Sequence, residues 1–272
     1  MQNKTNAKKN KKGMKPVYMP YLRGNVASKA AAKRAGKTFG FMVMFVFIYL
    51  MLGGALTFDN TFLRVLLNLG LLLAGMMLLY NEGANQGETD VGFGEILQKR
   101  LDEGKNVPQS ERDLCYHPMK GVFTAAIAAI PFFAVSTVFA FIAQKQGYVL
   151  GALPSWVSSY ESQTEISQAL AYYTVATPLT LEDILRVIVR VINFPFVTMV
   201  GVNSNDLMYL VDKLSPILCL VMPIAYAVGY LRGPFLRALV HGNIRVSRRK
   251  HNRREQKARK ERRMQMEKKE LI

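Results

Sequence analysis

An all-α integral membrane protein with four transmembrane helices is the fold class this sequence predicts, and three observations carry it. Four apolar runs, at 39–58, 61–80, 121–142 and 214–231, each come close to the ~20 residues a helix needs to cross a bilayer core of ~30 Å. The excess positive charge is confined to the two ends of the chain. The segments between the runs differ in Lys and Arg content in a way that sorts them onto alternate sides of a membrane. The 272 residues carry a net charge of +17. Residues 1–38 hold eleven basic and no acidic residues, and residues 232–272 hold fifteen basic and four acidic ones. The intervening stretch is therefore net acidic.

Lys and Arg flanking membrane spans are retained in the cytoplasm, so two basic tails predict two cytoplasmic termini and an even number of crossings. The Asp59-Asn60 turn has no basic residue and is assigned outside. The 81–120 loop, with Lys99, Arg100, Lys105, Arg112 and Lys120, is assigned inside. Segment 143–213 has four basic residues over a much greater length and is assigned outside. The expected organisation is a basic cytoplasmic tail (1–38), a transmembrane hairpin (39–80), a cytoplasmic loop (81–120), a third span (121–142), an extracytoplasmic segment (143–213), a fourth span (214–231) and a polybasic cytoplasmic tail (232–272). The expected location is the plasma (cytoplasmic) membrane. No cleavage site clearly follows the first run, which reads as a retained anchor.

In the hairpin, the four-residue link Phe58-Asp59-Asn60-Thr61 forces antiparallel helices. Small residues recur at four-residue spacing as Gly36-Gly40, Gly70-Ala74, Gly121-Ala125-Ala129 and Ala225-Gly229-Gly233. In lipid such stripes let helix backbones approach closely, either within one bundle or between copies of the chain. Pro131, Pro216 and Pro223 are expected to kink the third and fourth spans. The inner loop opens with Gly83, Gly87, Gly92 and Gly94. No strand precedes them and no Gly-Lys-Ser/Thr follows, so they read as a flexible loop and not as a phosphate cradle. A short helix over 95–103 closed by Gly104 comes next, and Ser110 caps a further turn.

The outer segment has Trp156 and Tyr160 at positions suited to an interfacial belt, then a short helix candidate at 166–173. Thr180 reads as an N-cap, with Glu182 and Asp183 in the first turn of an apolar helix over 181–202. Glu182, Arg186, Arg190 and Asn193 stand four, four and three residues apart, which places them on one face. A fifth crossing here would move the basic C-terminal tail outside and bury two arginines at ~3 kcal/mol each. The helix is therefore expected to be interfacial or re-entrant, with its arginines toward water. Asn205-Asp206 is expected to cap the final helix.

Two features invite function. One is the polar stripe of Glu182, Arg186, Arg190 and Asn193, which would line a hydrophilic groove if Arg64 and Asn68 of the hairpin met it. The other is the C-terminal tail, whose Arg248, Arg249, Lys250, Arg253, Arg254, Lys257, Arg259, Lys260, Arg262 and Arg263 form no apolar stripe. A projecting basic helix of this kind meets a polyanion, either anionic lipid headgroups or ribosomal or other RNA. Stacking aromatics for sequence-specific reading are missing. Cys115 and His117 have no second ligand pair nearby, so neither a metal site nor any other cofactor is expected. No nucleophile elbow or metalloprotease motif is present, which argues against an enzyme. The leading expectation is a multi-pass scaffold or accessory subunit whose basic cytoplasmic tails bind anionic lipid or another polyanion, alone or with a membrane-protein or homo-oligomeric partner. The alternative is a small transporter or insertase-like protein using the arginine-lined groove.

Overall fold

A computed structural model describes residues 16–53, 58, 60–144, 180–201 and 204–270. The described residues are helical apart from short links: α1 (Lys29–Gly53), α2 (Thr61–Asp102), α3 (Gln109–Arg112), α4 (Pro118–Ile142), α5 (Leu181–Ile192), α6 (Phe194–Val200), α7 (Asn205–Leu218), α8 (Val221–Leu231) and α9 (Gly233–Glu270). Four stretches are long and apolar enough to cross a membrane: α1, α2, α4, and Asp206–Leu231, which joins α7 to α8. Large apolar side chains such as Met51 (80 % exposed) and Phe141 (84 % exposed) face outward, as expected when lipid is the solvent. The chain is a multi-pass membrane protein. The Trp156 and Tyr160 belt and the helix candidate at 166–173 lie outside the described residues.

Except for α2, which starts at Thr61 as expected, the spans start earlier than hydropathy alone suggests. Helix α1 begins at Lys29, because Ala30, Ala31, Ala32 and Ala35 are strong helix formers that extend the apolar run backward. The largest departure is α2, which continues unbroken through 81–102, where a flexible glycine loop and a separate helix at 95–103 were expected. Its start is capped by the Asn60 side chain, which accepts from the Phe62 amide at 3.0 Å. Gly104 follows its last turn with φ of 75°, the left-handed conformation expected of a helix-ending glycine.

Helix–helix contact explains the unbroken α2. Its main partner is α8, and α1 packs chiefly on α4, so the sequence-adjacent α1 and α2 are not each other's main neighbours. A Cβ at Gly83 or Gly87 would collide with the backbone of Tyr226 or Tyr230, and one at Gly229 or Gly233 with the backbone of Tyr80 or Gly87. The four glycines form a reciprocal small-residue crossing in which two helix backbones touch. Gly36, Gly40 and Gly70 meet nothing within 4 Å, so those small-residue positions are not used inside the described bundle. The central core gathers Met42, Phe45 and Tyr49 of α1, Leu79 of α2, Ala125 and Ala128 of α4, and Tyr226 of α8.

The last span is two helices. The α-helical ladder breaks between Leu218 and Val221, where Pro223 has no N–H to offer the carbonyl four residues earlier. Pro131, by contrast, is carried inside a continuous α4. Similarly, 181–202 is two helices meeting at Asn193, two residues before Pro195. Ser110 does not cap α3, whose N-cap is Pro108, and α7 has Ser204 at its N-cap without a side-chain bond.

Residues 16–25, from the N-terminal tail, pack on the bundle. They run without regular structure across the end of the bundle that carries α9. Val17 donates its amide to Ala238 of α9 at 3.0 Å, Leu22 to Gly94 of α2 at 3.1 Å, and Gly24 to Tyr116 at 3.1 Å. Asn25 donates to the Asp113 carboxylate at 2.8 Å. Residues 16–25 and the start of α9 therefore lie at the same end of the bundle. We call this the basic end.

Candidate functional site

The polar stripe of α5 does not face water. Arg186 is 1 % exposed and donates to Glu182 one turn earlier and to the Gln144 carbonyl at 3.3 Å, with its guanidinium carbon 5.9 Å from the Phe139 ring centre. Arg190 grips the buried Asp212 of α7 with two bonds, of 3.1 and 2.8 Å. Asn193 is buried and donates to Val189 at 3.1 Å. The expectation of arginines turned to solvent fails because Glu182 on α5 itself, the Gln144 carbonyl just past α4 and Asp212 of α7 supply acceptors for them, and a paired guanidinium can be buried where a lone one cannot. The Nε of Arg186 has no partner among the described residues.

The hairpin does meet this region. Asn68 of α2 accepts from Thr198 of α6 at 2.8 Å, and Arg64 donates to the Val200 carbonyl at 3.2 Å. These contacts close the space: the cavity bordered by Asn193 holds about 40 Å³ and is walled mainly by Phe45, Tyr49, Phe132, Phe196 and Met222. That is room for water and not for a cargo.

Thr180 caps α5 as expected, and the box is reciprocal: Asp183 donates its amide to the Thr180 hydroxyl oxygen and accepts from the Thr180 amide and hydroxyl. Those hydrogen bonds hold the Asp183 carboxyl below its usual range. A depressed folded value makes its contribution complete above the ordinary carboxylate range and lost as pH falls through the folded value. Thr180→Ala is expected to cost about 1 kcal/mol at neutral pH by thermal unfolding, with the gap to the parent narrowing in acid. An equal gap at both pH values counts against a charged box.

At the basic end, sequence reasoning missed a buried ionic node. Asp90 of α2 is 2 % exposed and receives two bonds from Arg34 of α1, at 2.6 and 2.8 Å. The Tyr230 hydroxyl of α8 donates to it at 2.6 Å. Lys120 of α4 places its buried ammonium 3.4 Å away while donating to the carbonyls of Asp113 and Cys115 at 2.8 and 3.0 Å. Four spans are thus tied to one carboxylate. The Tyr116 ring stacks on Tyr230 with centroids 5.2 Å apart, and burial pushes its phenol up to about 12. Asp90 sits among the glycines read as a loop. Placing it on a helix required recognising Gly83 and Gly87 as a packing stripe.

Burial also raises the Cys115 thiol, so it stays protonated and weakly nucleophilic. Both Cys115 and Cys219 are buried. A maleimide is expected to label neither thiol in the folded protein at neutral pH and both after denaturation. Rapid labelling without denaturant contradicts the packing described. Among the described residues no group of His, Cys, Asp and Glu has the makings of a metal site.

Beyond the node, α9 is docked on α2 by its root alone. Arg237 donates to Glu95 at 3.0 Å and lies 3.4 Å from Glu88, and His241 lies 2.8 Å from Glu95. From Arg245 to Arg262 every residue of α9 is exposed. Of the predicted tail residues, Arg248, Arg249, Lys250, Arg253, Arg254, Lys257, Arg259, Lys260 and Arg262 stand on this exposed helix, and the Arg263 side chain lies outside the described residues. The one ion pair described along it is His251 with Glu255, at 3.7 Å. Comparison with protein-family models, with curated proteins and with solved structures finds no match to this chain.

Proposed function

We propose that this chain is a non-enzymatic, multi-pass scaffold or accessory subunit of a plasma membrane, with both termini cytoplasmic and α5 lying at the opposite interface, and that α9 binds a polyanion. The observation that carries this reading is the contrast along α9. Arg237 and His241 of its root are matched by Glu88 and Glu95, whereas among the described residues beyond them the one ion pair is His251 with Glu255, and no arginine or lysine is paired. A run of unneutralised cations on a helix is an electrostatic template for phosphates.

Geometry favours RNA, as on a ribosome, over the headgroups. The apolar run of α2 ends at Tyr80, and α9 still borders α2 at Lys99, nineteen residues further. That is about 28 Å along a helix, well past the ~6 Å headgroup layer. Attraction to a charged leaflet fades within a Debye length of about 8 Å. The transporter or insertase reading has less support, since Arg186 and Arg190 are both engaged by carboxylates.

Deleting residues 250–272 from the full-length protein in neutral nanodiscs is expected to abolish co-sedimentation with ribosomes and to flatten its steep salt dependence. Undiminished ribosome binding by the truncated chain removes the proposal. Binding of the intact chain to anionic vesicles and not to ribosomes moves the partner to the lipid surface.

A further inference from the structure

A second basic feature lies beside the root of α9. A cavity of about 570 Å³ opens between the last turns of α2, residues 241–252 of α9 where its exposed length begins, and the N-terminal strap, where Val17 and Met19 form one wall. Four cations line it, Lys99 from α2 and Arg245, Arg248 and Arg249 from α9. None of the four has an ion-pair partner among the described residues. Glu95, one turn before Lys99 on α2, is already held by Arg237 and His241, and Glu103, one turn after it, is paired with Lys105. Residues 1–38 contain no acid, so the N-terminal tail has no counter-charge to offer.

From this we infer that the cavity is a binding site for a soluble, multiply phosphorylated small anion. Its volume falls in the range of small-molecule sites. Three guanidinium forks and an ammonium from two separate helices converge on a concave surface, which is the donor set that phosphate oxygens match best. An extended RNA strand would track a ridge, whereas Lys99 of α2 and the three arginines of α9 line a half-open cavity between the two helices. Depth excludes a headgroup, because Lys99 stands nineteen residues beyond the end of the α2 apolar run. The site does not depend on the distal tail, since no cavity residue lies beyond Asn252.

The experiment uses full-length protein in neutral nanodiscs, with inorganic pyrophosphate and triphosphate as probes, read by calorimetry near physiological salt. Saturable binding is expected. Lys99→Gln, an exposed position on α2 outside the tail, is expected to weaken it about tenfold without changing thermal stability. Substituting Arg259, Lys260 and Arg262 together with Gln is expected to leave it within about twofold, because those charges lie more than a Debye length away. Four results each overturn the site: no saturable binding, no effect of Lys99→Gln, an equal loss from the distal triple variant, or equal affinity for citrate. Binding of short-chain phosphatidate but not of the soluble probes overturns its assignment to a soluble ligand. Ribosome binding that survives Lys99→Gln but not the Arg259, Lys260 and Arg262 triple substitution separates this site from the tail function.

Discussion

Asp90→Ala is expected to destabilise the protein by about 3–5 kcal/mol, the usual effect of stripping the counter-ion from a buried charge. Arg34 and Lys120 both point at this carboxylate, and Lys120 is 1 % exposed, so its ammonium cannot turn to water without unpacking α4. The Tyr230 hydroxyl would lose its acceptor as well. Asp90→Asn keeps an acceptor for Tyr230 and is expected to fall between the parent and Asp90→Ala. The natural control is Glu82→Ala, which removes the partner of Lys37 in a pair that is largely solvent-accessible. That change is expected to cost no more than about 1 kcal/mol. Thermal unfolding of the purified variants in a mild detergent, with monodispersity on size exclusion, measures both. If Asp90→Ala proves as mild as Glu82→Ala, the node does not hold the spans together.

Gly229→Leu is the second large effect. Helix propensity alone predicts that a side chain in place of a helical glycine gains up to about 1 kcal/mol. At Gly229 even a single Cβ would collide with the carbonyl oxygen of Tyr80, and backbone cannot rotate away as a side chain can. Gly229→Ala is therefore expected to lose about 1–3 kcal/mol, and Gly229→Leu more, because overpacking forces the two helices apart. Gly70→Ala is the matched control, since nothing lies within 4 Å of it. It is expected to be neutral or slightly stabilising. The same thermal assay decides: equal behaviour of Gly229→Ala and Gly70→Ala would mean that α2 and α8 do not cross at backbone contact. A widened crossing also moves Tyr230 away from Asp90, so the two lesions are expected to be less than additive when combined.

These two sites show why some elements were readable in the chain and others were not. Thr180, Asp183 and Gly104 act on their own neighbours, and capping chemistry is local, so their roles followed from position. Gly83, Gly87, Gly92 and Gly94 carry the opposite lesson. In water that density of glycine argues for a loop, yet here α2 runs through them, and Gly83 and Gly87 lie where α8 approaches too closely for any side chain. The partner is more than a hundred residues away in sequence, and no local rule could name it. The α5 stripe falls between these cases. Its four-residue spacing identified one face correctly, but Asp212 and the Gln144 carbonyl, not solvent, receive that face.

Hydrophobic length and charge asymmetry follow from composition along the chain, and a bilayer responds to both without consulting any other part of the molecule. The four membrane-length helices were accordingly legible from residues alone. Which helices touch, which carboxylate neutralises which cation and which cations remain unmatched depend on through-space distance. Coulomb attraction and backbone contact act between groups that folding, not sequence order, makes neighbours. The density of Arg and Lys beyond residue 244 marks the open length of α9 in the sequence, but that Arg237 and His241 of its root meet Glu88 and Glu95 was decided only by the packing of α9 on α2.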